Sequence, residues 1–213
     1  MLTADGVQSY SVGFADFAAD VAAAERVLAG FGAGPGASVL YTSLMSEAAL
    51  YTPYLEATWR RGAVVSCADA TGPDAYRVPM LIGALPRLAA VIGINAAVLD
   101  GLEAAGRDLA AVFAPVPVVA ARPDAHPRLH RAGVAALLWA QLGPMIAVEC
   151  AARTGAHVPD GWSVAAVEAG VAVRAAATRA CGDRPWRIAG PLAVVEGGCS
   201  CGRSGARVLV PAG

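Results

Sequence analysis

The soft donor atoms of this chain gather in two stretches, Glu149-Cys150-Ala-Ala-Arg-Thr-Gly155-Ala-His157 and Cys199-Ser-Cys201-Gly-Arg203. Three thiols and one imidazole are the ligands that a tetrahedral structural Zn²⁺ takes, with no position left for water. Four unrelated residues are the competing reading, since a free cysteine often serves as a small buried hydrophobe. Cys-x-Cys is also not the common Cys-x₂-Cys knuckle, so spacing leaves both readings open. Five cysteines occur in all, and Cys67 and Cys181 stand outside the set. An odd number of thiols fits a reduced, cytoplasmic setting.

Other residues also have chemistry within reach. His126 and His130 are four apart around Pro127, a spacing that puts both on one helical face, as in metal or acid–base pairs. Exposed surface histidines fit the same spacing. Asp69, Asp74 and Arg77 follow an expected strand, at the edge where open α/β sheets place ligands; helix capping and solvation account for them more simply. No Gly-x-Gly-x-x-Gly marks a dinucleotide site and no Gly-x-Ser-x-Gly marks a serine hydrolase elbow.

Elements must hold these residues in place. Phe14, Phe17, Ala18, Val21, Ala24, Val27 and Leu28 recur at helical spacing and predict an amphipathic helix to Phe31, ended by Gly30 and Gly32. A Gly34-Pro35-Gly36 turn then leads into a strand over 38–42. Helices over 46–61, 75–85 and 95–105 alternate with strands over 62–67, 89–93 and 115–120, which implies a parallel sheet covered on both faces. Residues 1–12 read as irregular and 121–127 as a connector. From Met145 the pattern changes to closely spaced strands over 145–149, 162–168, 170–175 and 192–195. The expected fold is therefore α/β: a mostly parallel sheet flanked by helices, with a small zinc-stapled β-rich lobe at the C-terminal end. The expected parts are residues 1–144 and 145–213, packed as one unit.

Composition narrows the function. Hydrophobic content is 56% and mean hydropathy +0.52, but no run approaches the ~18–20 apolar residues of a membrane span. No basic segment followed by an apolar one opens the chain, so export is not indicated. Sixteen basic residues balance seventeen acidic ones for a net charge of −1, and without a basic cluster nucleic acid is not an expected partner. A homo-oligomer is compatible with all of this.

The pattern Glu149-Cys150-x₄-Gly155-x-His157-Val158, followed by Cys199-x-Cys201-Gly202-Arg203-x₃-Arg207, resembles the zinc-bearing part of phenylacetate–coenzyme A ligases and their coenzyme F390 synthetase relatives. These are adenylate-forming enzymes. The resemblance implies Zn²⁺ at Cys150, His157, Cys199 and Cys201. It continues in order along the chain through Ala29–Val39, Arg61-Gly-Ala-Val-Val65, Val91–Leu102 and Gly143–Cys150.

Departures from the family pattern are as informative. The family binds ATP phosphates with a Ser/Thr/Gly-rich loop before the first helix, and here only Leu-Thr-Ala-Asp-Gly follows Met1 before Val7. The adenine-bordering Gly-Ala-Glu-Pro is replaced by Ala121-Arg-Pro-Asp124. The Tyr-Gly-x-Thr-Glu motif with its Mg²⁺-binding Glu is replaced by Leu138-Trp-Ala-Gln-Leu142, and the ribose-holding Thr-Gly-Asp by Ala189-Gly-Pro191. The sequence ends at Gly213 without the lysine-bearing C-terminal domain. The expectation is a protein that uses no ATP and is not an active acyl-CoA ligase.

In the family the aromatic body of the substrate lies beside the loop after the first strand. The counterpart here is Tyr41-Thr-Ser43-Leu-Met45-Ser-Glu47, with Tyr51 and Tyr54 following. Tyr41, Ser43, Met45, Tyr51 and Trp139 are the expected substrate-binding set, with Glu47, His126 and His130 as catalytic candidates; packing of helix against sheet is the competing role. Two functions follow. One is an ATP-independent tailoring enzyme acting by cyclisation or group transfer on a small planar aromatic molecule, as in polyketide antibiotic biosynthesis, with S-adenosylmethionine or another donor left open. The alternative is a non-catalytic binding, carrier or partner protein that keeps only the fold. Closed Cys₃His coordination would leave the metal no catalytic water.

Overall fold

The computed structural model describes residues 2–3, 6–7 and 9–211. The chain divides into two compact units, residues 24–139 and residues 1–23 with 140–213. Within the opening stretch expected to be irregular, β1 (Leu2–Thr3) and β2 (Gly6–Val7) form a short antiparallel ladder. Residues 1, 4, 5 and 8 of that stretch lie outside the described residues.

Helix α1 (Phe14–Gly30) buries Val21, Ala24 and Leu28 at helical spacing. It stops because Gly32 takes φ +76°, and the Gly32 and Ala33 N–H groups then donate to Ala29 O and Leu28 O. A glycine accepts that left-handed conformation without the cost of a Cβ.

In residues 24–139 strand and helix alternate. The order is β3 (Ser38–Ser43), a 3-10 turn (Met45–Glu47), α2 (Ala48–Arg60), β4 (Val64–Asp69), α3 (Arg77–Ala84) and β5 (Leu88–Ile94). There follow α4 (Ala96–Ala104), α5 (Leu109–Phe113), β6 (Val118–Ala121), α6 (His126–Arg131) and β7 (Leu137–Leu142), whose last residues pass the boundary between the units. The parallel strands lie in the order β4-β3-β5-β6-β7. Helices cover both faces. Leu40, Val91 and Val119 pack with Val78, Ile82, Leu99, Phe113 and Leu129 of α3 to α6. Tyr41, one residue on from Leu40 and so on the opposite face, bonds through its hydroxyl to Thr58 of α2 at 2.7 Å. Burial on both faces explains why these strands read as continuous apolar runs. With β4 and β5 on either side of β3, the direction of strand addition reverses between β3 and β5. At such a reversal adjacent connections leave to opposite faces and a crevice opens at the carboxyl ends of the strands.

The other unit is antiparallel. It contains β8 (Met145–Glu149), β9 (Ala156–His157), β10 (Trp162–Val167), β11 (Gly170–Ala175), β12 (Trp186–Ala189), β13 (Ala193–Val195) and β14 (Arg207–Leu209). Strands β8, β9, β14 and β13 pair in that order, and β10, β11 and β12 make a separate three-stranded sheet. Arg179 lies 4.4 Å over the Trp162 ring and reaches Asp20 of α1 at 2.6 Å. Asp16 accepts the Ala180 and Gly13 N–H groups at 2.9 and 3.0 Å, which secures the start of α1 within this unit. No helix among the described residues is long and apolar enough to cross a membrane.

Candidate functional site

Strand pairing assembles the metal-ligand set. Cys150 directly follows β8, His157 ends β9, and β14 pairs with β9 so that Arg207 lies opposite His157. Between Cys150 and His157 the chain is held by buried Glu149, whose carboxylate accepts the Gly155 N–H at 3.0 Å. Cys199 and Cys201 sit on one tight turn, closed by Cys199 N–H to Arg203 O and Gly202 N–H to Cys199 O. Thr154 Oγ1 stands 3.2 Å from Cys199 Sγ and accepts a hydrogen bond from Arg207, which also donates to Gly198 O.

The donor atoms of Cys150, His157, Cys199 and Cys201 all lie within 4.8 Å of one another. Cys150 Sγ and Cys199 Sγ are 3.7 Å apart, and Cys201 Sγ and His157 Nε2 3.5 Å. A tetrahedral zinc with ordinary bond lengths requires edges of about 3.8 Å between sulfurs and about 3.5 Å between sulfur and nitrogen. Chemistry and geometry both fit. The Cys201 N–H and the Thr154 hydroxyl push the Cys199 thiol down to about 5, toward the thiolate that binds metal. Burial and nearby Arg203 lower His157 and favour the neutral imidazole, while burial raises Cys150. A bound cation would hold Cys150 as a thiolate. With all four ligands from the chain, the metal's chemistry here would be structural cross-linking.

The expected substrate-binding residues are placed unevenly. Tyr41, Tyr51 and Trp139 come together in one aromatic cluster and are 0–1% exposed. The Tyr41 and Tyr51 rings meet edge to face at 6.1 Å, and Trp139 lies 6.0 Å from Tyr51 and 4.6 Å from Tyr54. Burial drives the Tyr41 hydroxyl far above its ordinary range. The indole N–H of Trp139 has no hydrogen-bond partner among the described residues. Ser43 ends β3 and accepts the Ala70 N–H, whereas Met45 is 93% exposed. The structure therefore joins three of the five in packed core and leaves Met45 on the surface.

Glu47 has a partner that sequence reasoning missed. Arg122, the first residue after β6, grips it through Nη1 and Nη2 of its guanidinium at 2.6 and 2.8 Å. The Arg122 Nε donates to Gly93 O at 2.9 Å, and Nη2 approaches Thr42 O at 3.4 Å. Glu47 also accepts the Leu44 N–H at 2.8 Å, which folds the 3-10 turn onto the ion pair. Side-chain exposures are 10% for Arg122 and 16% for Glu47. Burial opposes the guanidinium charge, but the Tyr51 hydroxyl and the Glu47 carboxylate outweigh it and raise its pKa. Gly93 permits this arrangement: a Cβ there would come within 2.4 Å of both Thr42 O and Tyr51 Oη. The pair thus sits at the strand reversal between β3 and β5. The available signal was an arginine placed at a strand's carboxyl end.

His126 and His130 do share one face of α6, with ring centroids 4.4 Å apart and His130 Nε2 2.9 Å from Ala136 O. They do not belong to the metal cluster.

No family model matches the sequence, and no curated protein matches it. Solved structures match in fold. A 2-hydroxyisobutyryl-CoA ligase in an open conformation, in complex with 2-HIB-AMP and CoA, superposes with a TM-score of 0.64 at 17% identity, over 93% of this chain and 49% of that one. The same ligase in the thioesterification state gives 0.60 at 17% identity, over 96% and 49%. This chain spans about half the length of the ligase structures that it matches. Taken with the parallel-rich sheet between helices, the superposition shows that this chain has the fold of adenylate-forming ligases.

Proposed function

We propose that this protein is a zinc-stapled, non-catalytic binding or partner module built on the adenylate-forming fold. One observation carries the reading. At the strand reversal, where this class of sheet takes its ligands, the charged groups able to bind are engaged with one another, Arg122 with Glu47, Gly93 O and Thr42 O, and the Tyr51 ring packs with Tyr41 and Trp139. A ligand there would have to displace an internal carboxylate held at high effective concentration. Zinc as the metal, and kinship with phenylacetate–coenzyme A ligases in particular, belong to the same proposal. Both rest on the spacing of Cys150, His157, Cys199 and Cys201 and on the donor set that they form.

A thermal-shift screen with aromatic acids, quinones, ATP, coenzyme A and S-adenosylmethionine tests it. A ligand at a hundred times its Kd stabilises by about 2.7 kcal/mol, so specific binding is readily seen. The expected result is no shift with any of them. A saturable shift by an aromatic compound, abolished by Tyr51→Ala, overturns the closed edge, and conversion of that compound to a product overturns the proposal in favour of the ATP-independent tailoring enzyme.

A further inference from the structure

Strand β4 ends the order of the parallel sheet, with β3 as its neighbour on one side. The Val64 N–H donates to Ala37 O and the Ala70 N–H to Ser43 O. Peptide groups alternate along a strand, so Val65, Cys67 and Asp69 turn their N–H and C=O groups away from β3. Such a row is a template for pairing with another chain. Two of its groups are already engaged. Asp74 Oδ2 accepts the Asp69 N–H at 2.8 Å, Arg77 Nη2 donates to the Cys67 carbonyl at 3.2 Å, and the two side chains join at 3.1 Å. Apolar side chains on β4 and on the segment of α3 are exposed, with Val64 at 51%, Tyr76 at 63% and Met80 at 54%. An unguarded β4 would therefore combine open backbone groups with apolar surface.

We propose that the Asp74–Arg77 ion pair is a guard that keeps β4 from pairing with a second copy of this chain. A strand pairs with its own copy antiparallel, about a two-fold axis. The outward residues are centred on Cys67, so the two Cys67 residues would lie opposite each other. Directly opposed residues in such a pair have Cα atoms about 5.5 Å apart, and Cys67 is an exposed free thiol. In the guarded state Arg77 holds the carbonyl that this register needs.

Two variants test the guard, Arg77→Met and Asp74→Ala. Arg77→Met frees the Cys67 carbonyl, and Asp74→Ala frees the Asp69 N–H, so either serves if the other fails to fold. Mass is measured by light scattering against wild type at equal concentration, and Cys67 proximity by a short bismaleimide cross-linker. A twofold rise in mass is expected in the folded variants, with a covalent dimer that Cys67→Ser removes without lowering the mass. Adding Val65→Pro deletes an outward N–H without touching the ladder to β3, and is expected to restore the wild-type mass. The proposal is overturned if a folded variant keeps the wild-type mass. It is equally overturned if the added mass survives Val65→Pro, because association would then use another surface.

Discussion

At the Cys150–His157–Cys199–Cys201 cluster, four metal-type donor atoms lie within 4.8 Å of one another. At the carboxyl edge of the parallel sheet, Arg122 instead spends its donors on Glu47, Gly93 O and Thr42 O, and the aromatic rings beside it fill their own space. The first region could hold an ion from outside, while in the second the guanidinium and the carboxylate satisfy each other. Side-chain chemistry accounts for the difference. Thiols and a neutral imidazole neutralise no charge among themselves, whereas a guanidinium and a carboxylate do so bidentately. Convergent polar residues in a ligase-like fold therefore do not all mark a ligand site. What decides is whether they are satisfied before the ligand arrives.

The largest expected effect tests the first half of this contrast. Purified protein is expected to carry about one equivalent of Zn²⁺, since structural zinc binding contributes folding energy on the order of 10 kcal/mol in small domains. Cys150→Ser or Cys201→Ser is expected to lose the metal and much of the folded population, read by elemental analysis and thermal melting. A metal-free preparation that melts like the zinc-loaded one would break the comparison.

Trp139→Ala comes next. A fully buried tryptophan packed on Tyr51 and Tyr54 leaves a cavity, and such truncations cost about 3–5 kcal/mol. Denaturant melts are expected to show that loss with the zinc content unchanged. A variant as stable as wild type would mean that the ring is not core.

Glu47→Ala is expected to cost about 3 kcal/mol, because it leaves the Arg122 guanidinium buried without its carboxylate. The double variant Glu47→Ala/Arg122→Met is expected to be the more stable of the two, since no unpaired charge remains. Additive losses in that cycle would show that the two side chains act separately.

The smallest expected signal is none: no carboxylate-dependent pyrophosphate exchange with ATP. Leu138-Trp-Ala-Gln-Leu142 offers no Mg²⁺-binding carboxylate and Ala189-Gly-Pro191 no ribose aspartate, and phosphoryl chemistry depends on such charges acting together. Exchange above background with any acid would contradict both the motif reading and the closed edge.

Much of this molecule is legible without coordinates, for local reasons. Gly32 after an apolar helical pattern marks the end of α1, short apolar runs mark β3 to β6, and the resemblance to the zinc-bearing part of a ligase family singles out the four residues that could hold a metal. Elements that carry little local pattern were missed. Leu109–Phe113 is a single turn and a half, Arg207–Leu209 is three residues, and Leu137–Leu142 and Trp186–Ala189 become strands through the neighbours they pair with. The pairing of Arg122 with Glu47, 75 residues apart, was equally out of reach. So was the enclosure of Tyr41, Tyr51 and Trp139, and the approach of Asp74 and Arg77 to the open side of β4. Helix caps and apolar runs depend on φ/ψ preferences and side-chain type within a few residues, which the sequence states directly. Which distant groups satisfy one another depends on strand order and register, and those are settled only when the whole sheet has packed.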